Sequence, residues 1–472
     1  MLAQKKSVIT ASDRVFLAME RVFGASGKMR HIQPPLLYGE MHQIIGQLSR
    51  EPFISDAMAV IVKELQSSIS NLVSFSANVI DQSGWERAAD TTVVNTEDGL
   101  SAEVNFCTLI RHFVGGLGTK VLMGHDFMAN NPDIVSDIFT LDASFIPLLA
   151  GYPFFYPGVA SGRRARARLT QAMIEHQQAL YAILDGRDPG IKWGDMSDVA
   201  GVMKDRAKGW RERRAEPDLF GPGDAPFVLA MNANANQIVF WVLYYVYQQP
   251  SLRSEILDEI AAYVQPVKEP SDLPVPEAPR LSIDLKGLLR NCPLLKGVYL
   301  ETLRLEAAGP SFTTVRETFT VTESTHDAAA EGKDQPQTYI FPRGANVLLP
   351  HHVHAMDEGY FRNPTSFNPR RFWLSSDDVE KSDSGDVDGK TDGKNITVSL
   401  GSLQIFGGGL TMCKGRLFAE REILCMTAAI LTSWDVEPVK GKWPALERGA
   451  GSGSHIPKRD VRVRMTRRPL ET

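Results

Sequence analysis

Residues 406–416 read Phe-Gly-Gly-Gly-Leu-Thr-Met-Cys-Lys-Gly-Arg, and a run of good helix formers follows, LFAEREILCMTAAIL. Glycines at 407, 408 and 409 free the backbone for a tight loop that approaches a flat ligand closely. Cys413 comes just before a helix N-terminus, where partial positive charge favours a thiolate. A lone cysteine behind a glycine turn is ordinarily structural. The spacing sets this one apart, because Phe406-x-x-Gly409-x-x-x-Cys413-x-Gly415-x-x-x-Ala419 is a pattern that chance rarely meets.

That pattern resembles the haem-binding signature of the cytochrome P-450 family. The resemblance implies that Cys413 is the axial thiolate of a haem b iron, with Phe406, Gly409 and Gly415 shaping the loop against the macrocycle. A thiolate in that position pushes electron density onto the iron and promotes O–O cleavage. Upstream, PLLKGVYLETLRLEAAGP carries Glu301-x-x-Arg304, and i,i+3 spacing puts both side chains on one helical face. On a surface such a pair is worth little. In the family it belongs to the K-helix and closes a buried network with an arginine from a later loop. Phe367-Asn-Pro369-Arg370-Arg371-Phe372 is similar to that loop, and Arg371 matches. These three residues are expected to be structural supports, because a buried charge set must be kept whole.

Residues 225–248 are predicted as one long apolar helix with an asparagine patch, similar to the family's distal I-helix. Most members carry an acid and a threonine there to relay protons. Aligning Ala230 with the family's alanine puts Ala233 and Asn234 at those places, so neither titrating group is present. The stretch AMNANANQIVFW, with Thr411 near the cysteine, is similar to the subgroup of sterol 7α-hydroxylases and prostacyclin synthases. Oxygen activation needs two protons, and an amide does not titrate, so Asn234 would act by holding ordered water. Met231, Asn236 and Ile238 on this helix, and Phe312 after the K-helix, are expected to line the substrate pocket.

By the same resemblance Arg316 pairs with a haem propionate, in the bidentate geometry that suits a carboxylate. Tyr38 and His42, at i,i+4 in a C-helix over residues 36–50, are further propionate candidates. His351, His352 and His354 are read as ordinary packing, not as a metal cluster. Lys414, Arg416 and Arg421 would make the proximal face positive where a reductase docks.

The bulk numbers are those of an ordinary globular chain: 472 residues, 43% hydrophobic, 23% charged and net charge -5. That charge excludes a general nucleic-acid binder. Four cysteines without a CxxC pair exclude a zinc ribbon or disulfide scaffold. No apolar run approaches the ~20 residues of a spanning helix.

Helices are predicted over residues 52–80, 99–124, 163–184, 251–264 and 283–307, the third opening on a solvated basic face, Arg163, Arg164, Arg166 and Arg168. Strands are predicted at 314–324, 337–350 and 461–467. Acidic, Gly/Ser-rich residues 375–395 read as a disordered surface insertion.

The fold class is therefore mainly α: one domain, residues 1–472, with the cytochrome P-450 fold and a minor β component. If residues 36–50 are the C-helix, the family's N-terminal anchor and most of its first sheet are absent. With an anchor, the native chain would sit on the cytoplasmic face of the endoplasmic reticulum membrane. The reaction implied is monooxygenation of an apolar small molecule of sterol, terpenoid, polyketide or fatty-acid type, in secondary metabolism. Electrons would come from NADPH through a separate NADPH-cytochrome reductase, and the chain would work as a monomer. An isomerase or dehydratase acting on a peroxide without reductase is the alternative. A non-catalytic haem protein is the third reading.

Overall fold

A computed structural model describes residues 8–31, 44–96, 99–267, 279–374, 396–409, 412–449 and 451–469. In chain order the principal helices are α1 (Ser12–Arg21), α2 (Phe53–Ser68), α3 (Phe106–Met123), α4 (Ile134–Ala143), α5 (Val159–Leu184), α6 (Gly201–Glu212), α7 (Pro217–Asn232), α8 (Ala235–Tyr247), α9 (Pro250–Ile260), α10 (Pro293–Glu306) and α11 (Arg416–Ser433). The main strands are β1 (Ile9–Thr10), β2 (Thr92–Thr96), β3 (Gly99–Asn105), β4 (Ser311–Val315), β5 (Phe319–Thr322), β6 (Thr338–Phe341), β7 (Asn346–Leu349), β8 (Trp434–Pro438) and β9 (Arg462–Arg467).

Helix α8 is the centre of the molecule. Every residue from Ala235 to Tyr247 except Tyr245 is buried, and a helix apolar on all sides belongs inside a bundle. It packs against α3, α10 and α11. Phe240 meets Phe106 of α3 edge to face with ring centroids 5.8 Å apart. Each such aromatic contributes about 1.5–3 kcal/mol on burial.

Two antiparallel sheets flank the helices. β4 lies between β1 and β7, with Ser311 opposite Leu349 and Val315 opposite Ile9. The second sheet runs β8-β9-β3-β2 and joins the early chain to its end, with Arg462 opposite Asn105 and Trp434 opposite Arg467.

The distal segment is two helices, not one. α7 ends at Asn232, and Asn234 takes φ -130° before α8 begins. The amides cause this: Asn236 Nδ2 donates to the Asn232 carbonyl at 2.6 Å, and Asn232 Nδ2 donates to the Val228 carbonyl at 2.9 Å. Side-chain amides thus compete with the helical ladder. Residues 99–105, expected as helix, form β3 because β2 and β9 pair with both of its edges. The helix expected over 283–307 is interrupted at Cys292, before Pro293. Glu259 of α9 then caps α10, accepting from Leu294 N–H at 2.8 Å and Leu295 N–H at 2.9 Å. Of the basic cluster on α5, Arg163, Arg164 and Arg168 are exposed, whereas Arg166 is half-buried and donates to the Arg21 carbonyl.

Candidate active site

Gly407 and Gly409 both take left-handed backbone, φ 72° and 55°, which only glycine adopts without strain. The loop then turns back far enough for Cys413 N–H to donate to the Phe406 carbonyl at 2.9 Å. Cys413 is a free, exposed cysteine three residues before α11. It lines a cavity of about 270 Å³.

Cys413, Phe406, Gly407, Gly415 and Ala419 form one wall of that cavity. Ala230, Met231, Asn234, Ala235 and Ile238 of the broken distal segment line it as well. Leu303, Ala307 and Pro310 from the end of α10 close another side, with Ser311, His351, Gly453 and Ser454 as its polar margin. A slot with a free thiol on one face and a mainly apolar lining fits a flat hydrophobic macrocycle such as haem.

The site rests on α10. Arg304 Nε and Nη2 grip Glu301 at 2.9 and 2.7 Å, and Arg371 Nε reaches the same carboxylate at 3.1 and 3.0 Å. Arg304 Nη1 also donates to the carbonyls of Ala355 and Pro364. Glu301 and Arg304 are wholly buried. The network therefore pins the irregular stretch 351–372 onto the helix that lines the cavity.

Among the other expected site residues, Gly409 shapes the loop through its backbone. Asn236 is buried but turned to the Asn232 carbonyl, outside the cavity lining. Phe312 and Arg316 sit on the exposed face of β4, and neither lines the cavity. The period-2 alternation of a strand explains this, since Ser311, Thr313 and Val315 take the buried face. Tyr38, His42 and most of the expected C-helix lie outside the described residues, as do Thr411 and the 375–395 insertion.

Further ionisable groups reach the cavity that the sequence did not single out for it. His351, expected as packing, lines it with its Nε2 2.7 Å from Ser311 Oγ. Burial, with His354 nearby, lowers its pKa. Glu422 of α11 also lines it, and burial alone pushes its carboxyl up to about 8. Tyr299 borders the cavity as well, and burial, then the charges of Glu420 and Cys413, raise its hydroxyl well above the ordinary value. No group of metal-ligating side chains occurs among the described residues.

The comparisons agree with this geometry. Residues 237–463 match the sequence model of the family "Cytochrome P450". The chain is 22% identical over 426 residues to a cytochrome P450 monooxygenase of Hormonema carpetanum, covering 85% of this chain and 72% of that one. It is 23% identical over 357 residues to a cytochrome P450 monooxygenase of Gibberella zeae, covering 74% and 58%. A mitochondrial sterol 26-hydroxylase of Rattus norvegicus is 24% identical over 209 residues, covering 44% and 32%. Among solved structures, a crystal structure of a cytochrome P450 (CYP102L1) superposes with a TM-score of 0.62 at 14% identity, covering 98% of this chain and 89% of that one. A retinoic acid-bound cyanobacterial CYP120A1 gives 0.60 at 16%, covering 99% and 86%. The chain has the fold of the solved cytochrome P450s, and residues 237–463, just under half of it, match that family's sequence model.

Proposed function

We propose that this protein is a haem-thiolate monooxygenase that inserts one oxygen atom from O2 into an apolar small molecule. The observation that carries the reading is that Cys413 and the broken distal segment line one mainly apolar cavity. When bound there, haem supplies the oxygen chemistry. The protein orients substrate, excludes water and holds protons. Cys413 Sγ would hold the iron, and Ser311 and His351 offer polar contacts at the cavity margin. Asn234, set against Gly453 at the helix break, holds the distal polar contact.

Secondary metabolism is supported by the fungal monooxygenases among the relatives. The sterol 7α-hydroxylase and prostacyclin synthase likeness rests on the asparagine patch and Thr411. A sterol, terpenoid, polyketide or fatty-acid skeleton suits the lining. Electrons come from NADPH through a separate reductase, docked where Lys414, Arg416 and Arg421 flank the cysteine loop. The protein acts as a monomer. No helix among the described residues is long and apolar enough to cross a membrane.

Carbon monoxide added to the reduced protein should give the red-shifted Soret band of thiolate-ligated haem. Cys413→Ser should abolish it, and its survival would refute the ligand assignment. The amide at Asn234, where a titrating relay is usual, favours one second reading, an isomerase or dehydratase of peroxides. Product formed from a fatty-acid hydroperoxide without NADPH or reductase would establish that instead.

A further inference from the structure

The distal wall of the cavity carries a polar chain that the proposed reaction does not use. Ser454, on a Gly/Ser loop, lines the cavity beside Asn234, and its Oγ donates to Gln237 Oε1 at 2.8 Å. Gln237 Nε2 in turn donates to Asp142 Oδ2 at 3.4 Å. Arg111 Nη2 stands 3.8 Å from the same oxygen. Ser454, Gln237 and Asp142 are at most 2% exposed.

The direction of this chain follows from its far end. A carboxylate only accepts, so Gln237 must turn its NH2 toward Asp142 and its oxygen toward Ser454. The Ser454 proton is then committed to Gln237, and Oγ keeps only lone pairs for a further partner. Burial raises the Asp142 carboxyl, and Arg111 beside it offsets part of that rise.

We propose that Ser454 Oγ is a specificity contact that accepts a hydrogen bond from a hydroxyl on the substrate, with Gln237, Asp142 and Arg111 as positioning residues that keep it an acceptor. The substrate class is then an apolar skeleton bearing an alcohol. A site built to accept a hydrogen bond rejects the ether, because the buried acceptor is left facing another acceptor.

This inference rests on the haem-site reading, and one titration separates the two. The haem-loaded protein is titrated with dodecanol, its methyl ether and dodecane, following the spectral shift at equilibrium, with imidazole as a ligand to the iron. The alcohol should bind about tenfold more tightly than the ether, the worth of one hydrogen bond. That ratio should fall to near one in Ser454→Ala and shrink in Asp142→Asn, whose amide releases the direction of the chain. A merely structural role for Asp142 would weaken both ligands alike and leave the ratio unchanged. Equal binding of alcohol and ether, a ratio that survives Ser454→Ala, or no binding of the alcohol where imidazole still shifts the spectrum, each overturns the proposal. Failure of imidazole to shift the spectrum overturns the haem reading itself.

Discussion

At the residue scale, the chemistry of this molecule is decided by what each ionisable group faces. Glu422 shows it most simply. Its carboxyl is fully buried against the cavity and rises from 4.5 to about 8 by desolvation alone. The unfolded chain ionises that group first, so the folded state is favoured at low pH and loses this contribution as pH rises from about 4.5 through about 8. Thermal melts followed by circular dichroism should therefore show Tm falling across that window. In Glu422→Gln the fall should be visibly flatter, and parallel melting curves for the two proteins would contradict the assignment. His351 carries the same lesson in a base, since burial disfavours its charged form where it meets Ser311.

At the scale of elements, α10 is the strut. Arg371→Ala leaves the buried Glu301 carboxylate with Arg304 and the Asn368 N–H alone, and removing one partner of a buried charge set costs about 3–5 kcal/mol. Urea unfolding should register a loss of that order, and Arg371→Lys should restore only part of it, since one ammonium replaces a planar fork. Gly297 is a second pressure point on the same helix. A Cβ there would lie 2.1 Å from the Pro369 carbonyl oxygen and 3.1 Å from Trp373 Nε1. Backbone cannot yield as a flexible side chain does, so Gly297→Ala should displace the loop that carries Arg371. Faster proteolysis within residues 360–374, at a temperature where wild type resists, is the expected result.

On the scale of the whole molecule, the sheet β8-β9-β3-β2 is the clasp. β9 is interior to it, pairing β8 on one side and β3 on the other. Asp460, just before β9, also caps α3 by accepting from Cys107 N–H, Thr108 N–H and Thr108 Oγ1 at 2.7–2.9 Å. A chain ended after Arg459 should lose both ties. It should fail to melt cooperatively and should retain no haem on gel filtration, although residues 301–304, 371 and 413 are all intact. Asp460→Asn alone should lower stability by only about 1 kcal/mol, as a weakened cap does.

What the sequence determined by itself is the chemistry written in short spacings. The glycine loop, Cys413, and the Glu301–Arg304 pair with its distant Arg371 were legible because each motif needs fixed residue types a few positions apart. So was the mainly helical class, since apolar periodicity is local. Only the tertiary structure decided which side of each element meets the cavity. A shift of one residue along β4 exchanges Ser311 for Phe312, and the buried neighbours of Val315 set that register. The break at Asn234 depends on amides finding carbonyls one turn back inside a packed bundle. The chain from Ser454 to Gln237, Asp142 and Arg111 spans residues from 111 to 454. No local pattern marks such a contact, because its energy comes from burial and direction that exist only once the helices have packed.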